Sequence, residues 1–68
     1  MGFTLKAARV NKELSRPEVV KRLKAEHGIT ITVNTLSSYE SKLTQPNVIT
    51  AIALATIYGL SIDDIIFL

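Results

Sequence analysis

The chain has no cysteine, so neither a disulfide nor a thiolate metal site can hold it together. His27 is the single histidine, clustered acids are missing, and neither a metal nor a cofactor is expected. Aromatic residues supply only 6% of a sequence that is 47% hydrophobic, which argues for a compact helical or mixed core rather than disorder. No apolar run approaches the roughly 18 residues of a membrane span. Lys6, Arg9 and Lys12 also break the greasy centre that a signal peptide would need, so a cytoplasmic protein without a membrane partner is expected. With 68 residues there is room for one domain, 1–68. A domain of that size buries only roughly 60% of its unfolded surface, so the core or a partner subunit must supply the stability.

What charge there is lies unevenly. Residues 1–28 carry seven lysines and arginines against three glutamates, whereas residues 29–68 carry Lys42 alone against Glu40, Asp63 and Asp64. The overall +2 therefore hides a basic half that suits a phosphate partner, although a run of charge is more often a solvated face.

The most informative stretch is TVNTLSSYESKL, Thr32 to Leu43. On a helix, Leu36, Tyr39, Glu40 and Leu43 fall on one stripe, and Asn34, Ser37, Ser38 and Ser41 on the opposite one. One stripe is suited to packing. The other offers only short hydrogen-bonding side chains, which would let the helix axis approach a polar surface such as a DNA major groove.

Around it the spacing predicts four further helices. Residues 3–12 place Leu5, Ala8 and Arg9 on one stripe. Ser15, Arg16, Pro17 and Glu18 form a capping box with a first-turn proline, opening a second helix that buries Val19, Val20 and Leu23 and stops at Gly28. Ile29 to Ile31 read as a connector, with Thr30 or Thr32 capping the next helix. Asn47 caps residues 48–58, which are apolar nearly all round and so expected to be buried on most sides. Gly59 ends that helix and Leu60 folds back on it; Ser61 starts a last helix with Asp63 and Asp64 in its positive first turn.

Two charges fall on packing stripes, Arg9 and Glu40. A buried charge is tolerable only when paired, so these two are expected to meet as a structural ion pair. Nothing near Glu40 in sequence supplies a nucleophile or a second base, and Asp63 and Asp64 point about 100° apart on a helix. No enzyme is expected.

The segments LKAARVNKELSRPEVVKRL, ITVNTLSSYES and IALATIYGLSIDDII resemble the helix-turn-helix domain of phage repressors, Cro proteins and the bacterial xenobiotic-response-element regulators, across residues 3–67. The resemblance implies an all-α, compact five-helix lambda-repressor-like fold. Its second and third helices would form the helix-turn-helix, with the third in the major groove. Carried over by position, it implies Val33, Asn34, Ser37 and Ser38 at base edges, and Ser15, Arg16, Ser41, Lys42, Thr44 and Gln45 at phosphates. Arg9 and Glu40 fall where that family has a structural ion pair. Two departures concern the site: Arg16 stands where the family usually has Gln, and Lys42 where it often has Gly. A third is the connection between the second and third helices, which is extended by about six residues over the usual tight turn.

The implied function is sequence-specific binding of double-stranded DNA by a transcriptional regulator, a repressor or the N-terminal DNA-binding domain of one. A homodimer on a near-palindromic operator is expected, with no small-molecule ligand evident. Ile62, Ile66, Phe67 and Leu68 make an unusually apolar end and are the candidate dimer contact. The alternative is a protein-interaction module of the same fold, of antitoxin or anti-repressor type.

Overall fold

Every α-helix among the described residues starts on a short polar side chain that takes up an otherwise unpaired backbone N–H. Thr4 accepts from Ala7 N at 3.1 Å, Ser15 from Glu18 N at 3.2 Å, Thr32 from Thr35 N at 3.1 Å and Asn47 from Thr50 N at 2.8 Å. The computed structural model describes residues 2–66. They form β1 (Phe3–Thr4), α1 (Leu5–Asn11), α2 (Arg16–His27), α3 (Val33–Glu40) and α4 (Val48–Ile57), then a 3-10 turn (Ile62–Asp64) and β2 (Ile65–Ile66).

The core gathers Leu5 and Ala8 of α1, Val19 and Leu23 of α2, Leu36 of α3, and Ala53, Leu54, Ala55 and Ile57 of α4, with Tyr58 and Ile65. α2 packs against both α3 and α4, and α1 against α3. Leu23, Leu36 and Leu54 are fully buried. Each is worth roughly 1.5 to 3 kcal/mol in apolar transfer. α2 and α4 are closed by glycines in the left-handed region, Gly28 (φ 66°) and Gly59 (φ 71°). After each, the next N–H reaches back into the last turn: Ile29 to Leu23 O at 3.1 Å, Leu60 to Ala55 O at 2.9 Å.

Several expectations are corrected. The fold is mostly helical but has four α-helices, not five. The fifth is reduced to a 3-10 turn, because Asp64 closes it by accepting from Ser61 N (3.2 Å) and Ser61 Oγ (3.0 Å), and the β-branched Ile65 then extends. Instead of helix, residues 65–66 pair in parallel with residues 3–4, Phe3 opposite Ile65 and Thr4 opposite Ile66. The same pairing delays the first helix to Leu5. Leu43 does not belong to the packing stripe: α3 ends at Glu40, Lys42 turns into the left-handed region (φ 65°), and Leu43 is left 80% exposed. α4 is buried over most of its length, at Thr50, Ala51, Ala53, Leu54, Ala55 and Ile57, but Val48, Ile49 and Ile52 face outward.

The extended connection divides in two. Lys24 to His27 continue α2, and Gly28 to Thr32 form the five-residue link. Ile29 and Ile31 pack against the core, and it is Thr32, not Thr30, that caps α3. Of the candidate dimer residues, Ile62 is half exposed, while the side chain of Ile66 and residues 67 and 68 lie outside the described residues.

Candidate nucleic-acid interface

α3 is only eight residues long, and Leu36 is the one fully buried side chain that holds it to the core. Its opposite face is polar and uncharged. Val33 (39% exposed) and Asn34 are exposed in the first turn, and Ser37 and Ser38 are half-buried one turn on. The Thr32 hydroxyl that caps the helix also bonds the Thr35 hydroxyl at 3.0 Å, so the first turn is locked on its protein side, while the Asn34 amide bonds no group among the described residues. Just past the helix, Ser41 Oγ donates to Ser38 O at 3.3 Å, which commits its proton internally.

Behind this face lies a charge cluster. Glu40, whose side chain is 2% exposed, accepts from Arg9 Nε at 2.7 Å and from Arg9 Nη2 at 3.2 Å. Arg9 spends its remaining nitrogen on Leu14 O at 2.8 Å, so α1, the start of α2 and the end of α3 are tied at one point. The bond to Glu40 raises the Arg9 pKa further above its already high value, with burial opposing. Tyr58 stands next to the pair: burial and the Glu40 charge push its phenol well above the ordinary range, and its buried hydroxyl has no hydrogen-bond partner among the described residues.

The sequence does not reveal that Arg16 joins the same carboxylate. Its Nε donates to Glu40 Oε1 at 3.0 Å, with the side chain 35% exposed. Arg16 is the first residue of α2, where no stripe indicates a direction. Its appearance in place of the usual neutral residue is the only signal that could have pointed there. A narrow cleft beside Glu40 is lined by Thr4, Leu5, Tyr39, Lys42, Thr44, Gln45 and Pro46. Three of the candidate phosphate residues, Lys42, Thr44 and Gln45, thus share a cleft with Glu40, while Arg16 bonds its carboxylate directly.

Ser15 completes the set at the start of α2. It accepts from Glu18 N, its own N–H donates to Glu18 Oε1 at 2.9 Å, and its hydroxyl also bonds that carboxyl. These bonds hold the Glu18 carboxyl below its usual range. Asn47 is a further candidate that the sequence reading used only as a cap. Its Oδ1 is engaged by Thr50 N, whereas its exposed amide NH2 donates to no group among the described residues. The signal was there: a capping asparagine uses one end of its amide and leaves the other.

Two capped helices joined by a link, the second with a polar outer face and both anchored on one ion pair, make a helix-turn-helix. A model of the helix-turn-helix family, of Cro/C1 type, matches residues 5–65. The chain belongs to that family. Searches of curated proteins and of solved structures return no match. Family membership makes this helix-turn-helix chain a DNA-binding domain whose partner is double-stranded DNA. No helix among the described residues is long and apolar enough to cross a membrane, and none of their acids, histidines or cysteines cluster as a metal site.

Proposed function

We propose that this helix-turn-helix protein is a sequence-specific transcriptional repressor, or the DNA-binding part of one, acting in the cytoplasm by binding and not by catalysis. α3 enters the major groove. Asn34 pairs bidentately with an adenine and Val33 meets a thymine methyl, while Ser37 and Ser38 add contacts that discriminate weakly. Ser15, Arg16, Lys42, Thr44 and Gln45 hold the phosphates on either side and set the register. The observation that carries this reading is the outer face of α3, where an exposed Asn34 stands on a rigidly capped first turn with no charged or bulky neighbour on that face.

Two copies on a near-palindromic operator would place their α3 helices about 34 Å apart. Ile62 and the apolar end beyond it are the proposed contact between them. Selection of binding sites from random duplex DNA tests the proposal: inverted half-sites one helical turn apart are expected, and a pool that never enriches a sequence refutes it.

A second reading has one observation in its favour. Val48, Ile49 and Ile52 leave an apolar ridge along α4 of the kind that a protein partner covers. In an antitoxin or anti-repressor that ridge would be the working surface. Substituting Ile49 and Ile52 by Lys distinguishes the two, because it would leave DNA selection intact in the first case and remove the activity in the second.

A further inference from the structure

Two arginines share one glutamate, and they are not equivalent. Arg9 is buried and uses Nε, Nη1 and Nη2 on Glu40 and Leu14. Arg16 is held by Nε alone, at 3.0 Å, and neither of its Nη groups donates to any group among the described residues. Two positive charges against one negative charge leave the cluster with one positive charge unmatched. That charge sits on the half-exposed member at the positive end of α2. A guanidinium pinned through Nε presents its two Nη groups as a planar fork, which fits two oxygens of one phosphate.

We propose that Glu40, besides tying α1 to α3, is a positioning residue for DNA binding: it holds Arg16 by Nε so that the Nη fork is already aimed at one backbone phosphate. This rests on the reading of the α2 start as a backbone contact. Without Glu40, the long Arg16 side chain would have to be ordered on binding, which lowers affinity. With it, the order is built into the free protein and the phosphate neutralises the charge left over. Gln at the same position would reach a phosphate as a neutral donor, with neither the charge nor the fork. Lys would carry the charge, yet its single ammonium cannot present a planar fork while it serves Glu40.

The test uses the whole chain and a duplex obtained by selection. Arg16→Lys and Arg16→Gln are compared with the parent for affinity and salt dependence, with thermal melts to confirm folding. Arg16→Lys is expected to lose about tenfold in affinity although it keeps the charge. Arg16→Gln should lose at least as much, and its salt slope should fall by about one. An Arg16→Lys protein that binds within about twofold of the parent overturns the fork. NMR of the arginine side chains in the unaltered protein tests Glu40 itself. The Arg16 Nε–H should be protected without DNA and stay so on adding the duplex, while rotation of its Nη groups slows. Loss of that protection on binding would make Glu40 a competitor for Arg16 and overturn its positioning role. If the parent binds no duplex at all, it is the DNA-binding reading underneath that fails.

Discussion

Replacing Arg9 with Ala should bring the domain to the edge of unfolding. The substitution removes three hydrogen bonds at 2.7, 3.2 and 2.8 Å and leaves a carboxylate whose side chain is 2% exposed with Arg16 as its only charged partner. Breaking a buried pair from one side typically costs about 3 to 5 kcal/mol. Because Arg16 stays at 3.0 Å, the lower end, about 3 kcal/mol, is expected. At roughly 0.05 to 0.15 kcal/mol per residue, a chain of 68 residues has only about 3 to 10 kcal/mol in total. Urea unfolding followed by far-ultraviolet circular dichroism measures the difference. With a slope near 1 kcal/mol per molar, the midpoint should fall by about 3 M. A double variant, Arg9→Met with Glu40→Met, serves as the control, since it leaves no buried charge and should recover much of the loss. An Arg9→Ala protein destabilised by less than about 1 kcal/mol would show that the pair is not what ties α1 to α3, and would refute the reasoning.

At the α3 surface, Asn34→Ala should lose about 1 to 3 kcal/mol on the selected operator and almost nothing on random DNA; equal losses on both would remove Asn34 from the base-reading set. Lys42→Gly should stabilise the fold by about 0.5 to 1 kcal/mol, since Lys42 occupies the left-handed region at φ 65°. The same variant should bind all DNA sequences more weakly, and a protein that gains no stability would show the turn to be unstrained. Glu18→Ala removes the carboxylate half of the capping box and should lower the urea midpoint at pH 7. The folded Glu18 carboxyl titrates below its ordinary 4.5, so its contribution is present above that value and lost as pH falls through the depressed one. The gap between parent and Glu18→Ala should therefore narrow in acid, and a gap of constant width from pH 7 to pH 3 would exclude the carboxyl from the cap.

What could be read from the sequence follows the range of each interaction. Ser15 with Glu18 is a contact three residues long, and a short motif states it outright. The Arg9–Glu40 contact spans 31 residues and was still legible, because each charge sits on an apolar stripe and needs a partner there. Arg16 gave no such sign at the first position of α2. The bridge between residues 3–4 and 65–66 was hidden for another reason, since two residues carry no measurable alternation. Uniform apolarity concealed the outward side of α4: when nearly every residue is greasy, periodicity cannot say which of them faces water. The exposure of Leu43 is hidden because α3 ends at Glu40 and the chain leaves it through Lys42 in a conformation that a glycine would have announced.

The long link before α3 bears most directly on the proposed recognition, since a loose link would let α3 swing. Three features hold it. The added residues Lys24 to His27 are helical and therefore rigid, and Arg22 bonds Glu26 across that turn at 2.8 Å. Gly28 reverses the chain, and an added Cβ there would meet no atom within 4 Å, so φ alone, not space, calls for glycine. Ile29 and Ile31 then enter the core on either side of an exposed Thr30, placing two apolar anchors within three residues of the Thr32 cap. At its far end α3 is tied through Glu40 to Arg9. A helix of eight residues fixed at both ends, with Leu36 buried between, has little freedom to rotate about its axis. The extension thus lengthens α2 while α3 stays held at both ends, and Asn34 stands on a first turn fixed by the Thr32 cap.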